Sequence, residues 1–463
     1  MLRNHHISAF SPHFSRFNYN KTANTYLTGP NMFNFTGYND NNPLINVVDA
    51  MMGQGKSSWM IKSINQSCIN SLFGESEPVK IIVVTPYLDE VERFKEACPE
   101  ANFKSPVAHG KSKTDNFHEL LEAGENIVTT HSLCRGFNRT TYELASKHKY
   151  VLYIDEVMDC VEECKEITKS DFKILSDHNL ISIADDGRIL WNHDNEPNYR
   201  GKFDHLKSLC ENGNLCRFKD NYNFWIFPTD FLAAFDEVWI LTYLWSGSLM
   251  DAYTKAAGYK IYLWTLVNYG LQPYALVDES PIRGKIKSLI TIIDDLKLNA
   301  IGDIAKYGHQ RSPLSSTGYK KKNIDTLKTI KNSLYNYFNN RVSGPASQSM
   351  WTCYKDQRPH LKGAGYSKGF VSCNARATNE HRHRTNLAYM IDLYMDPFVK
   401  TFIESRGVKV SQDQYVLSAL VQWIFRSAIR DGKPITLYIP SERMRGLLMD
   451  WLNPKPVELS VAA

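Results

Sequence analysis

Leu44-Ile45-Asn46-Val47-Val48-Asp49-Ala50-Met51-Met52-Gly53-Gln54-Gly55-Lys56-Ser57-Ser58 is the stretch on which the fold turns. A short apolar run from Leu44 to Val48 reads as a strand, a small-residue loop follows, and Lys56 to Leu72 can form a helix. Gly53 and Gly55 let backbone N–H groups turn inward around phosphate oxygens. Lys56 adds a point charge for β- and γ-phosphates, Ser57 offers a hydroxyl to Mg²⁺, and the helix contributes its positive N-terminal end. Gly53, Gln54, Gly55, Lys56, Ser57 and Ser58 are therefore the expected nucleotide-binding residues. Ala50 stands where the usual pattern has its first glycine.

Outward from this loop the pattern repeats. Strands are expected at Lys80 to Thr85, Asn126 to Thr129 and Tyr150 to Ile154, with a helix from Asp89 to about Ala97. Short buried strands alternating with helices point to a parallel sheet covered on both faces. Residues from about 165 to 235 interrupt the alternation with a hairpin-like Ile181 to Trp191, and strands resume at Val238 to Thr242 and Lys260 to Trp264. Tyr150 to Ile154 ends in Asp155-Glu156. Ligands bind at the carboxyl ends of parallel strands, so Asp155 is expected to hold Mg²⁺ and Glu156 to orient or deprotonate the attacking water.

The second half is expected to add strands at Ile286 to Ile292, Ser349 to Cys353, Gly369 to Cys373 and Pro434 to Ile439. Helices are expected at Asn323 to Phe338, Leu387 to Ser405, Gln412 to Ile429 and Ser441 to Leu452. On the third of these, Gln422, Arg426 and Arg430 fall on one face.

At 463 residues the chain has the length of two domains of roughly 200 residues each. With 43% hydrophobic and 12% aromatic residues, a disordered or fibrous chain is excluded. Net charge is only +5, yet from Gly270 onward there are 28 basic against 16 acidic side chains, and residues 306–384 alone hold 15 against 3. That excess sits in the half opposite the phosphate loop, where Lys320-Lys321-Lys322 and Trp351 to Lys368 interleave cations and rings as a single-strand channel needs. The nine cysteines are odd in number and scattered, and no apolar stretch is long enough to cross a membrane. A soluble protein of a reducing cytoplasm, the host's if the chain is viral, is expected. Buried thiols are preferred over a zinc site at Cys160, Cys164, Cys210 and Cys216, whose gaps fit paired ligands poorly. His381 and His383, flanked by arginines, make a poor metal site.

With these residues in order, the chain resembles the superfamily-two helicases, in particular their bacteriophage and origin-binding-type members, from about Leu44 to Leu452. Ala50 to Ser57 looks like motif I, Val83-Val84-Thr85-Pro86 like motif Ia, and Val128-Thr129-Thr130-His131 like the strand after it. Asp155-Glu156-Val157-Met158 looks like motif II, with Met158 where the family has an acidic or imidazole side chain. Leu241 to Ser246 takes the place of motif III, leaving Thr242 and Ser246 as its hydroxyl candidates. Residues 368–386, ending in Glu380-His381-Arg382-His383-Arg384, lie where motif V would be, and Gln422 with Arg426 matches the spacing of motif VI. Arg430 does not match, so the choice of finger between the two arginines stays open.

The resemblance implies an α/β fold of two tandem RecA-like parallel-sheet domains with an insertion in the first. The expected divisions are an N-terminal arm at 1–42, a nucleotide-binding domain at 43–268 with its insertion at about 165–235, and a second domain at 269–463. It implies an ATP-dependent, Mg²⁺-requiring helicase or translocase acting in phage replication or recombination. Lys56, Asp155, Glu156, Gln422, Arg426 and Arg430 are its catalytic candidates, and Ser57 with Asp155 its Mg²⁺ ligands. The expected partner is nucleic acid, single-stranded or forked DNA ahead of RNA, with possible replication proteins and no membrane. Two other readings stand beside it: a terminase-type packaging ATPase, and a nucleotide-dependent switch that binds a protein partner.

Overall fold

The computed structural model describes residues 44–74, 79–192, 199–219, 222–228, 230–303, 312–322, 324–374 and 380–454. The arm expected at 1–42, the basic residues at 306–311 and the stretch 375–379 of the segment resembling motif V lie outside them.

Strands β1 (Ile45–Asp49), β2 (Lys80–Thr85), β3 (Ile127–Thr130) and β4 (Tyr150–Asp155) carry the branched and aromatic residues that suit a buried pleated surface. An inserted region follows, with β5 (Val161–Glu163), the antiparallel pair β6 (Ile181–Ile183) and β7 (Ile189–Trp191), then β8 (Leu215–Phe218) and β9 (Tyr222–Ile226). The chain returns through β10 (Glu237–Thr242), β11 (Ile261–Val267) and β12 (Gly270–Pro273). The resulting seven-stranded sheet has the order β12-β11-β1-β10-β4-β2-β3, parallel except for the β11–β12 hairpin. Its strands alternate between two cores: Ile45 and Val47 enter one, and Val48 enters the other with Met60 and Ile64 of the helix Lys56–Leu72.

A second parallel sheet holds β13 (Ile290–Ile292), β14 (Ser349–Thr352), β15 (Asn386–Tyr389) and β16 (Ile435–Tyr438) in the order β13-β16-β15-β14. The fold is thus α/β with two parallel sheets in tandem, as expected. Three local expectations fail. The apolar run beginning at Leu387 is a strand at the centre of this sheet, and the helix is confined to Pro397–Glu404. A fully buried parallel strand is a continuous apolar run, which periodicity cannot separate from a buried helix. Gly369 to Cys373 forms no strand, only a bridge from Phe370 to Trp351. The stretch expected as a strand at Ile286 to Ile292 is divided: its first three residues end the helix Ser280–Ser288, and Ile290–Ile292 forms β13.

Three rings of the basic segment are not exposed stacking platforms. Tyr319, Trp351 and Tyr366 are buried, and Trp351 meets Tyr366 edge-on at 5.5 Å while Phe338 stacks on Tyr366 at 5.0 Å. Tyr319 meets Tyr354 edge-on at 6.0 Å, and Trp351 Nε1–H donates to the Tyr366 carbonyl at 2.9 Å.

The inserted β5-β9-β8 sheet does not stand apart. Phe224 lies 4.6 Å from Phe402 and Tyr222 lies 4.2 Å from Phe398, both on the helix Pro397–Glu404. Arg406 Nη2 donates to the Asp186 carbonyl at 3.2 Å.

Leu387, fully buried in β15 and packed toward the helices Gln412–Ile424 and Glu442–Leu452, has no room to relax. Leu387→Ala is expected to cost about 2–5 kcal/mol in urea unfolding monitored by tryptophan fluorescence.

Candidate active site

Parallel order puts the carboxyl ends of β1, β10 and β4 along one edge. The loop from Ala50 to Gly55 leaves β1 there, and Gly55 enters the helix Lys56–Leu72 with φ of 86° and no side-chain cap. The first N–H groups of that helix are left to an incoming acceptor. Gln54 shapes the loop, its side-chain oxygen accepting from Met51 N–H at 3.1 Å. Lys56 is buried, and its Nζ donates to the carbonyls of Ala50 at 2.5 Å and Met51 at 3.4 Å. Burial lowers its pKa, opposed by Glu156, Asp155 and Asp49. Ser58 is exposed.

Ser57 Oγ donates to Asp155 Oδ2 at 3.2 Å, so two residues separated by 98 positions meet across the loop. Burial, then the neighbouring Glu156, pushes Asp155 up to about 7. Glu156 holds a left-handed φ of 66°, and its N–H donates to the Leu241 carbonyl at 2.8 Å, tying the end of β4 to β10. His131 Nε2–H donates to the Asp155 carbonyl at 2.9 Å, while Met158 is buried in the core of the first sheet. A hydroxyl and a carboxylate facing phosphate space suit Mg²⁺, which binds through few protein oxygens and completes its shell with phosphate and water.

The second sheet supplies the opposite wall by a route the sequence did not indicate. The helix carrying Gln422 ends at Ile424, so Gln422, Arg426 and Arg430 do not share a helical face. Ser427 stops it: its N–H and its hydroxyl both donate to the Ile424 carbonyl, at 3.1 and 2.6 Å. Ala428 N–H then bonds the Arg384 carbonyl at 2.9 Å, drawing the chain into the turn Ala428–Asp431. This turn lies on the phosphate loop, where a β-carbon built on Gly53 would stand 3.9 Å from the Arg430 carbonyl oxygen.

Arg426 is 6% exposed, and among the described residues its Nη1 has no hydrogen-bond partner. Burial holds its guanidinium down at about 10, while Tyr87 and Glu156 oppose that shift. Arg430 is half-buried and feels both Arg382 and Glu156, and Arg382 pairs with Asp431 at 3.3 Å. Gln422 stands one step back, its Nε2 donating to Ser418 Oγ at 3.3 Å. Of the hydroxyls offered for motif III, Thr242 is fully buried with Oγ1 unpartnered among the described residues, and Ser246 is exposed. Burial and then Arg384 lower the pKa of His381, opposed by Glu380, and among the described residues no cluster of metal-ligating side chains forms. All nine cysteines are free, and no described helix is long and apolar enough to cross a membrane.

Comparison with known proteins places this arrangement in a family. Over 422 residues the chain is 35% identical to the SPbeta prophage-derived uncharacterized protein YonV of Bacillus subtilis (strain 168), covering 88% of this chain and 98% of that protein. The chain belongs to the YonV family. Residues 284–452 match the YonV C-terminal Rossmann-like domain and residues 161–225 the YonV middle domain. Among solved structures the YonV-family chain is similar to apo XPD (12% identity, 88% of this chain and 95% of that chain, TM-score 0.45). It is also similar to S. tokodaii Xpd4 (11% identity, 88% and 94%, TM-score 0.35) and to the DEAD-box helicase Mss116 bound to ssRNA and UDP-BeF (14% identity, 86% and 67%, TM-score 0.32). Strand order and the loop after β1 define the fold of this YonV-family protein independently of these likenesses.

One residue of the site escaped sequence reading. Asp49, the last residue of β1, is buried and accepts N–H bonds from Leu244 at 2.8 Å and Trp245 at 3.0 Å, fixing the turn after β10. That turn meets the second half directly, since a β-carbon on Gly247 would stand 2.6 Å from the Gln414 backbone, and Ser418 Oγ donates to the Tyr243 carbonyl at 3.4 Å. The only sequence signal was an acid closing an apolar strand. Burial foremost pushes Asp49 from 3.8 up to about 6.

The folded YonV-family protein therefore holds a proton at Asp49 more tightly than the unfolded chain. This contribution to stability is complete below the unfolded value of 3.8 and lost as pH rises through about 6. Urea unfolding of the native protein and of Asp49→Asn is expected to reveal it. Between about pH 4 and pH 7 the native protein should lose stability relative to the variant by an amount on the order of 3 kcal/mol.

Proposed function

We propose that this protein is an ATP-driven nucleic-acid translocase, a DNA helicase of phage replication or recombination, hydrolysing ATP between its two parallel sheets. The observation that carries the reading is Arg426, a buried guanidinium whose Nη1 is unpartnered among the described residues, set by the second sheet toward Glu156 and the phosphate loop of the first. A buried donor left without an acceptor costs about 1–3 kcal/mol, and a transferring phosphoryl group is an anion that would meet it in this cleft.

In this reading a triphosphate enters the loop, and Lys56 exchanges the Ala50 and Met51 carbonyls for phosphate oxygens. Ser57 and Asp155 are the residues that would hold Mg²⁺, which neutralises charge developing on the phosphates. Glu156, fixed by its N–H bond to Leu241, orients the attacking water. Arg426 stabilises the charge on the transferring group, and Arg430 with Gln422 lines the wall behind it. Because carboxylates and arginine come from different sheets, hydrolysis depends on how the two sheets approach. Thr242, Gly247 and Ser418 lie on the path along which that approach is felt. The working division falls after β12, a few residues beyond the expected 268 because Gly270–Pro273 still pairs with the first sheet, and the basic second half grips phosphates of a single strand. The prophage origin of the YonV relative fits a phage role.

The test is the ATPase rate without polymer and with single-stranded DNA, duplex DNA or RNA at two salt concentrations. Single-stranded DNA is expected to stimulate most, with stimulation falling steeply with salt. Lys56→Ala should abolish turnover, and Arg426→Ala should lower kcat about 10²–10³-fold with little change in ATP binding. Hydrolysis indifferent to every polymer would instead favour a nucleotide-dependent switch, and no hydrolysis under any condition would end the reading.

A further inference from the structure

Asn268 and Tyr269 form the two-residue turn between β11 and β12, whose last pair is Val267 with Gly270. Their φ values are 50° and 62°, the geometry of a type I′ hairpin turn, in which the second position ordinarily takes glycine. A side chain there holds the backbone in a region that a β-carbon disfavours, and such residues cluster at ligand sites.

Core packing does not account for the tyrosine, which is 69% exposed. Its ring lies against the phosphate loop instead: a β-carbon built on Gly55 would stand 2.9 Å from Tyr269 Cε1 and 3.0 Å from Cδ1. Gly55 therefore serves twice, by its φ of 86° and by leaving space for this ring.

The topology fixes which part of a nucleotide would meet it. β11 flanks β1 on the side away from β10 and β4, so Tyr269 and the Asp155–Glu156 pair stand on opposite sides of the loop. A triphosphate whose γ-phosphate faces Glu156 and Arg426 extends its sugar and base away from those groups, toward the β11 flank. We infer that Tyr269 is the platform on which the nucleobase of the bound triphosphate stacks, and this inference rests on the nucleotide site proposed above. A stacking ring reads the face of a base and not its hydrogen-bonding edge, so purines should bind better than pyrimidines, with adenine and guanine little distinguished.

Tripolyphosphate, which has phosphates and no base, separates the platform from the phosphate site. Calorimetric titration of the full chain with ATP, GTP, CTP, UTP and tripolyphosphate is the experiment. Tyr269→Ala should weaken ATP binding about tenfold or more and erase the preference for purines, leaving tripolyphosphate binding unchanged. Tyr269→Phe should behave as the native protein. Unchanged ATP binding in Tyr269→Ala, or parallel loss of ATP and tripolyphosphate, would overturn the inference, the latter meaning that the ring only shapes the loop. A native protein that binds neither ligand would overturn the phosphate site first and the platform with it.

Discussion

Everything at the cleft depends on the parallel pairing of β1, β10 and β4. Asp49 lies opposite Thr242, and Leu241 opposite Asp155, so one register aligns the phosphate loop, the turn after β10 and the two carboxylates at a single edge. An antiparallel neighbour at any of these positions would send its loop to the far end of the sheet. The cost is a row of acids brought close together under cover. Burial raises Asp49 and Asp155, and Lys56 is lowered among them. Charge at this edge is therefore easily displaced by an anion or a divalent cation.

The second sheet reaches that edge through loops rather than through a helix face. The turn Ala428–Asp431 lies over Gly53, and the turn after β10, held by Asp49, abuts the helix Gln412–Ile424. Met51 and Tyr243, from the first sheet's loops, are buried in the core of the second. The two halves thus share apolar packing immediately beside the candidate nucleotide site, so a small change at the loop is felt by a close-packed interior rather than by solvent.

How much of this could be read in advance follows from how local each signal is. The phosphate loop and the strand ending in Asp155-Glu156 were legible because residue types, spacing and flanking elements agree within a few residues. So was the hairpin from Ile181 to Trp191, with its Asp185-Asp186-Gly187 turn. The strand Asn386–Tyr389 was misread because its burial on both faces removes any period. The helix end at Ile424 was missed because it depends on a serine hydroxyl turning back and on a hydrogen bond to Arg384, over forty positions away. The rings of the basic segment were assigned to solvent from their neighbours in sequence, although their packing partners lie elsewhere in the chain. Asp49 and Tyr269 matter only through contacts that tertiary structure creates, although Asn268-Tyr269-Gly270 after an apolar strand was a turn signal that could have been followed.

The inserted sheet has a consequence for the order in which this chain can become a protein. Phe218 and Phe224 belong with Phe402, Ile403 and Val410 in the same core as Ile45 and Val47. An N-terminal segment emerging from the ribosome can pair its strands but cannot seal that interior until residues beyond 400 have been made. At about 5–20 residues per second, the gap between synthesis of Phe224 and of Phe402 lasts roughly ten to forty seconds. During that interval Tyr222 and Phe224 lack the rings of Phe398 and Phe402 that cover them in the finished fold, which ties the first core to the last quarter of the message.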